Sequence, residues 1–263
     1  MILKKLFPKN SFQKFYYTTI TRQNEKGEKQ IYLVGDNNKE ISFWNDVPLQ
    51  TDKYRNSDIY NICIEIPKFN IAKLEVDKSS KNHPIIQDKR KNKITKQEEL
   101  RFYAQFPLFN YGFLPQTWES PFVENEGFKG DDDPLDVVDL SSTEAKVGQI
   151  YEAKVLGCIC LIDQGEIDWK IFTISKEESE RKNINSIEDF EKQDPGRLNA
   201  IKHWFKFIKV YDGKKQNFIH YNEQIFGPEK SIEVIQEMHK EWSTLKEGKT
   251  EQYNQIKQEF LFE

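Results

Sequence analysis

One segment of the sequence, GDDDPLDVVDL at residues 130–140, contains the closely spaced aspartates Asp131, Asp132, Asp133 and Asp136. Charges of one sign repel one another at this spacing, so a folded chain keeps such a cluster where a cation lies among the carboxylates. Oxygen ligands suit Mg²⁺ or Mn²⁺, whereas zinc prefers nitrogen and sulfur. A calcium EF-hand does not fit, because its sixth position requires glycine and the chain has Asp136 there. A solvated acidic turn remains the alternative for this segment taken alone.

A second pair of aspartates strengthens the prediction of a metal site. In DQGEIDWK, Asp163 and Asp168 are five residues apart, and Lys170 follows two residues later. Carboxylates hold metal ions and cations hold phosphate oxygens. Transfer of a phosphoryl group to water needs both, because its catalysis depends on positioning and charge neutralisation. The two segments together predict a metal-dependent site that acts on a phosphate compound.

Short strands are predicted to position these residues. Apolar residues alternate around the turn former GDNN and predict a hairpin at residues 29–44. In IAKLEV, the same period of two places Lys73 and Glu75 on one face of a strand. The nearly continuous apolar run at residues 155–162 predicts a strand that is buried on both faces and ends at Asp163.

Helices are predicted in the last third of the chain. The segments with helical spacing of apolar residues are 186–192, 195–210 and 228–248. The first of them opens with Ser186 and has Asp189 three residues later, which resembles a capping box. We expect the apolar stripes of these helices to contact the core.

Composition argues against two other classes of protein. The formal charge of −4, from 39 basic and 43 acidic residues, is unlike that of a general nucleic-acid binder. The charge-rich residues 77–99 have no aromatic side chains among their lysines, which favours a solvated excursion or hairpin over a surface that binds single-stranded nucleic acid. No run approaches the ~20 apolar residues of a membrane span. Cys63, Cys158 and Cys160 form no C-x-x-C pair and are predicted to be buried, reduced thiols.

The N-terminal residues differ from the rest of the chain. Residues 1–24 contain no acidic side chain, and their basic residues alternate with aliphatic and aromatic ones. This composition is typical of a mitochondrial presequence, with a plain basic tail as the alternative. We therefore assign residues 1–16 as a basic N-terminal extension and expect the mitochondrial matrix rather than the cytoplasm.

The chain resembles a known family. DDDPLD at residues 131–136 is similar to the D-x-D-P-x-D signature of soluble family I inorganic pyrophosphatases. The segments IEIPKFNIAKLEV, HPIIQD, NYGFLPQTWE, DQGEIDWK and WFKFIKVYDGK also occur in the order of the eukaryotic form of that family. The resemblance runs from about Tyr17 to Leu245. It implies metal-dependent hydrolysis of pyrophosphate to two phosphates, and a homodimer.

The same resemblance implies the fold. It predicts a mainly β protein with helices, in which an OB-like closed β-barrel is flanked by the helices. The barrel and its helices form a single domain at residues 17–246, followed by a C-terminal tail at residues 247–263.

The resemblance also implies residue roles. The metal ligands, for Mg²⁺ with Mn²⁺ as a substitute, are Asp131, Asp136, Asp163, Asp168 and Glu75. The residue that accepts the proton of the attacking water is Asp133. The phosphate-binding residues are Lys73, Arg101, Tyr111, Lys170 and Lys209, and Glu65 is a supporting carboxylate.

Two tyrosines of the family pattern are absent. Phe106 and Pro107 lie where a second tyrosine precedes NYG, and Ile208 replaces the tyrosine before the lysine of the WF helix. Tyr103 and Tyr211 are candidates to replace them. The loss leaves open an alternative function, a weak or inactive pyrophosphatase-like subunit with a structural or binding role in a larger assembly. A nucleic-acid-binding OB module is a third possibility, which rests only on KRKNKITK.

Overall fold

The computed structural model describes residues 17–92 and 94–260. Within these ranges the strands are β1 (Thr18–Gln23), β2 (Lys29–Val34), β3 (Glu40–Ile41), β4 (Ile59–Ile66), β5 (Leu74–Val76), β6 (Ile85–Gln87), β7 (Lys89–Lys91), β8 (Glu98–Leu100), β9 (Asn110–Phe113), β10 (Glu124–Asn125), β11 (Phe128–Gly130), β12 (Asp136–Asp139), β13 (Ile150–Asp163), β14 (Glu166–Ser175) and β15 (Phe218–Ile219). The helices are α1 (Lys176–Lys182), α2 (Ile187–Gln193), α3 (Arg197–Phe207), α4 (His220–Glu223), α5 (Pro228–Glu247) and α6 (Glu251–Glu259). The short 3₁₀ helices are Asp36–Asn38, Asp52–Tyr54 and Val210–Asp212.

Five strands close into a barrel. The pairings run from β4 to β9, β12, β14, β13 and back to β4. Only the pair of β12 and β14 within this ring is parallel, and the other neighbours are antiparallel. The predicted closed β-barrel is thus confirmed, and closure leaves no free edge within the ring.

The long hairpin of β13 and β14 supplies much of the barrel. The predicted doubly buried run at residues 155–162 lies within β13, and each of its side chains is at most 8% exposed. Gln164 and Gly165 make the tight turn between the strands. Their φ values of 55° and 97° are positive, as this type of hairpin turn requires at both central residues. This turn sets the register in which Asp163 faces Glu166.

A second sheet covers the barrel. Its strand order is β1, β2, β6 and β5, with β3 paired to β2. The predicted hairpin at residues 29–44 is confirmed by the antiparallel pair of β2 and β3. The charge-rich segment is a hairpin as predicted, because β7 pairs with β8.

The predicted helices are present and pack on the barrel. The stripe of α3, with Leu198, Ile201, Trp204 and Phe205, is buried. Ser186 caps α2 by accepting a hydrogen bond of 3.2 Å from the amide of Asp189. The buried apolar residues of α5 are Val234, Ile235, Trp242 and Leu245, and Ile232 and Met238 are partly buried beside them.

Three helices were not predicted, and the shortest of them is the four-residue α4. The helix α1 has no apolar stripe, and α6 lies within residues 247–263, which were assigned as a tail. The ring of Tyr253 on α6 packs edge-on against Trp118 at 5.8 Å, and Phe260 is buried against Trp44.

The domain boundaries stay a prediction, and the basic extension at residues 1–16 lies outside the described residues. Within the described ranges, every helix is too short or too polar to span a bilayer.

Candidate metal-dependent active site

One open cavity of about 200 Å³ brings the predicted site residues together. All of them line it: Glu65, Lys73, Glu75, Arg101, Tyr111, Asp131, Asp133, Asp136, Asp163, Asp168, Lys170 and Lys209. They come from segments far apart in the sequence, so the barrel is what makes them neighbours. Their individual roles stay predictions.

Parallel pairing of three strands assembles the acidic side of the cavity. Gly130 at the end of β11 lies beside Ile167 of β14, which places Asp131 next to Asp168. In the pair of β12 and β14, Asp136 lies directly beside Lys170. Asp168 and Lys170 are two residues apart and therefore point to the same face of β14.

Three carboxylates that line the cavity, Asp131, Asp136 and Asp168, form what we call the acidic wall together with the buried Glu119, which lies close to Asp131 and Asp168 but does not line the cavity. The Lys170 ammonium contacts both Asp136 and Asp168. Burial raises the pKa of Asp168 to about 7, although Lys170 acts in the opposite direction. Burial, and next the charges of Asp168 and Asp133, hold the pKa of Asp131 well above its usual range. One lysine does not neutralise this wall.

The cations Lys73 and Arg101 also line the cavity, and both pair with the carboxylate of Asp88. We call Lys73, Asp88 and Arg101 the basic wall. Backbone hydrogen bonds join them in a ring, from Asp88 N to Lys73 O, from Lys73 N to Arg101 O and from Arg101 N to Asp88 O. The Lys73 ammonium donates to Asp88 at 2.8 Å, and Arg101 donates to the same carboxylate. Burial alone would raise the pKa of Asp88, but Lys73 and Arg101 outweigh it and lower that pKa.

Further contacts fix the remaining predicted residues. Tyr111 donates its hydroxyl hydrogen to Asp136, and Lys209 contacts Asp163. Glu65 is buried and accepts a hydrogen bond of 2.6 Å from the amide of Val76. Burial, followed by the charge of Asp136, holds the pKa of Glu65 well above its usual range.

The sequence analysis missed three charged residues of this region. Glu119 lies in NYGFLPQTWE and Asp88 lies in HPIIQD, but no role was predicted for either residue. Lys78 was not considered, yet its ammonium lies 2.7 Å from Asp133 and also bonds to the backbone oxygen of Asp132. The signal available for Glu119 was its place in NYGFLPQTWE, one of the segments that resemble the family.

The donor set fits a hard divalent cation. One oxygen each from Glu119, Asp131 and Asp168 lies within 4.8 Å of the others. Glu119 Oε2 and Asp163 Oδ1 are buried and accept no hydrogen bond in the structure as described. Buried carboxylate oxygens need a donor or a cation, because an unpaired buried charge is costly. A cluster of oxygen ligands of this kind suits Mg²⁺ or Mn²⁺.

The family of the chain follows from a comparison with known proteins. The model of the inorganic pyrophosphatase family matches residues 62–243, which include every residue of both walls. The chain belongs to the inorganic pyrophosphatase family.

Relatives of this pyrophosphatase support the assignment over most of its length. An inorganic pyrophosphatase of Eremothecium gossypii is 40% identical over 218 residues, which are 80% of this chain and 73% of the relative. The chloroplastic soluble inorganic pyrophosphatase 6 of Arabidopsis thaliana is 37% identical and covers 84% of this chain and 71% of its own length. A truncated vacuolar soluble pyrophosphatase of Trypanosoma cruzi, solved in complex with PPi, superimposes with a TM-score of 0.79 at 32% identity, over 94% of this chain and all of that one.

Of the two candidates to replace the missing family tyrosines, only Tyr103 lies in the pyrophosphatase cavity. Its ring packs edge-on against Trp204 at 5.0 Å, and burial raises its pKa to about 12. Tyr211 is 60% exposed and its hydroxyl accepts a hydrogen bond from Gln105. Tyr103 is therefore the better placed of the two to donate to a bound anion.

Proposed function

We propose that this protein hydrolyses inorganic pyrophosphate to two phosphates with the help of Mg²⁺. The observation that carries the proposal is one cavity that holds both an acidic wall without sufficient counter-charge and the charged donors Lys73, Arg101 and Lys209. A divalent cation complements the acidic wall, and the charged donors can bind an anionic substrate. Pyrophosphate with its cations supplies both.

The metal would be held by Asp131, Asp136, Asp163 and Asp168, with Glu75 as a further carboxylate. When bound, divalent cations supply positive charge and lower the pKa of water in the site. Mn²⁺ is a suitable substitute, because it shares the preference for oxygen ligands.

Asp133 is the residue best placed to accept the proton of the attacking water. Its side chain is 57% exposed to the cavity and solvent, whereas Glu119 and Asp168 of the acidic wall are buried. Lys78 lies 2.7 Å from its carboxylate and holds it in place. General base catalysis needs a carboxylate positioned in this way.

The cations orient the substrate and neutralise the departing phosphate. Lys73, Arg101 and Lys209 present charged donors to the cavity, and charge-assisted bonds of this kind are the strong ones. Tyr111 and Lys170 hold Asp136 and add two donors close to the metal ligands. These groups are in place before the substrate arrives, so little reorganisation is needed during the reaction.

Phosphate release from pyrophosphate by the purified protein tests the proposal. We expect turnover with Mg²⁺ and none after chelation, with partial recovery on addition of Mn²⁺. A folded protein that binds Mg²⁺ but releases no phosphate would contradict the proposal and favour the inactive alternative.

We also propose a homodimer. Phe69, Phe106 and Leu108 are 53%, 61% and 41% exposed, and a 3.0 Å hydrogen bond from Phe69 N to Pro107 O brings their segments together. Exposed apolar patches of this kind favour association with a second copy. Sedimentation should give twice the chain mass, and Phe69→Asp should reduce it to one chain. A monomeric wild-type protein would contradict this.

The mitochondrial matrix remains the proposed location. The proposal is supported by the acid-free residues 1–24 and by nothing else in the chain. Sequencing the N-terminus of the protein isolated from its own cells would test it. Removal of the basic extension and recovery in the matrix fraction are expected, and a cytosolic protein that begins at Met1 would contradict it.

A further inference from the structure

Glu119 is attached to the aspartate-rich loop through its backbone. Its amide donates to Asp133 O at 2.8 Å, and its carbonyl accepts from Asp132 N at 2.9 Å. Gly130 allows this close approach, because a Cβ atom there would lie 2.3 Å from Glu119 O. The position of Glu119 and the position of the loop are therefore fixed together.

The side chain of Glu119 reaches the other half of the acidic wall. Its Oε1 accepts a 3.0 Å hydrogen bond from the amide of Trp169, the residue after Asp168. The side chain thus connects the loop that contains Asp131 with the strand that contains Asp168. Glu119 is only 1% exposed.

The second oxygen of this carboxylate is unusual. Glu119 Oε2 is buried and accepts no hydrogen bond from any described residue. One oxygen of the carboxylate lies within 4.8 Å of oxygens of Asp131 and Asp168. A buried, unpaired carboxylate oxygen destabilises a protein unless a ligand supplies its partner.

We propose that Glu119 is a positioning residue of the divalent-cation site, whose Oε2 accepts a hydrogen bond from a water bound to the cation at Asp131 and Asp168. This inference rests on the proposed function, which requires a cation there. Mg²⁺ usually binds proteins through one or two carboxylates and keeps several waters. Asp131 and Asp168 already supply two carboxylates, so contact through a water suits the third.

Binding of Mn²⁺ and Mg²⁺ to Glu119→Gln, without pyrophosphate, tests the proposal. The substituted side chain would keep an oxygen for the Trp169 amide, but its amide nitrogen could not accept a hydrogen bond from water. Calorimetry should show that the cation affinity of one site falls by about 10- to 100-fold. This is the usual loss when a residue that supports a metal ligand is replaced. The metal-free variant should melt at the wild-type temperature or higher, because a buried acceptor without a hydrogen-bond partner is removed.

A purely structural role predicts the opposite pattern. In that case the metal-free variant would melt at a lower temperature while its cation affinity stayed that of the wild type, and the proposal would be overturned. If Glu119→Gln fails to fold, Glu119→Asp gives the answer: weaker cation binding supports the proposal, and unchanged binding overturns it.

Glu178→Gln is the matched control. Glu178 is also buried, at 5% exposure, and accepts a 2.9 Å hydrogen bond from the amide of Ser142 outside the cavity. This variant should bind cations with wild-type affinity. If the wild-type protein itself binds no cation, the proposed function fails; if it binds them and Glu119→Gln binds equally well, only this inference fails.

Discussion

The two walls of the cavity handle buried negative charge in opposite ways. In the basic wall, Asp88 receives hydrogen bonds from both Lys73 and Arg101, and its pKa is lowered. In the acidic wall, Asp168 contacts Lys170 but lies among other carboxylates, and its pKa is raised to about 7. The side chains of the basic wall thus pair their charges with one another, whereas the acidic wall needs cations from solution. This difference supports the proposal that metal binds at the acidic wall.

The largest effect is expected from the proposed base beside the acidic wall. Asp133→Asn should fold and bind Mg²⁺, but its turnover should fall by about 10²- to 10⁴-fold, the usual contribution of general base catalysis. Steady-state phosphate release measures this. Asp132→Asn is the control, because Asp132 contacts Trp118 and Lys78 rather than the cavity, and should retain most activity. Near-normal turnover of Asp133→Asn would remove Asp133 from the role of base.

A smaller effect is expected in the basic wall. Lys73→Met removes a charged donor to the substrate, and hydrogen bonds to charged groups contribute about 1.5–3 kcal/mol. We expect kcat/KM to fall by roughly 10- to 100-fold, with cation binding little changed. Lys89→Met is the control, since Lys89 pairs with Glu28 away from the cavity. A loss of cation binding in Lys73→Met would show that the basic wall also contributes to cation binding.

The raised pKa of Asp168 predicts how pH affects the acidic wall. Below about pH 7, Mg²⁺ must displace a proton, so its apparent affinity should fall by about tenfold per pH unit. Without metal, the folded protein holds this proton more tightly than the unfolded chain does. Its stability should therefore decrease as pH rises from about 4 to about 7.

Thermal melts and calorimetry across this range measure both quantities. With saturating Mg²⁺, the decrease in stability should be absent, because the cation replaces the proton. A metal-free melting temperature that stays constant or rises between these pH values would contradict the assigned charge state of the acidic wall.

The smallest effect is expected at Tyr103. If its hydroxyl replaces a family tyrosine, Tyr103→Phe should lower kcat/KM by roughly two- to tenfold, the value of one neutral hydrogen bond. Tyr211→Phe should leave it unchanged. The reverse result would identify Tyr211 as the replacement and would mean that the exposed tyrosine moves when substrate binds.

Local patterns were sufficient to predict the β2–β3 hairpin, the strand β13 and the helices α2, α3 and α5, whereas the barrel was implied by the family resemblance. Alternation in IAKLEV placed Lys73 and Glu75 on one face, and the structure shows their side chains in contact. The stop of α5 at Gly248 was also predictable, because the residue adopts the left-handed conformation that ends helices. These features depend on residues within a few positions of one another.

The missed features depend on contacts between distant segments. Glu119 matters because its backbone bonds to Asp132 and Asp133 and its side chain to Trp169, and no spacing rule connects these positions. The helix α1 has no apolar stripe; Ser175 caps it, and Glu178 bonds to Ser142. The helix α6 is polar, and its buried contacts come from Tyr253 and the Phe260 that follows it.

The packing of Phe260 has a consequence for the order of assembly. His83 bonds to the carbonyl of Phe260 across 177 residues, and the Lys78 ammonium lies 4.9 Å from the centre of the Phe260 ring. Lys78 in turn holds Asp133. During synthesis, Phe260 emerges after every other residue in these contacts. The barrel can form first, but the base of the proposed reaction receives its full support only when the last described part of the chain has been made.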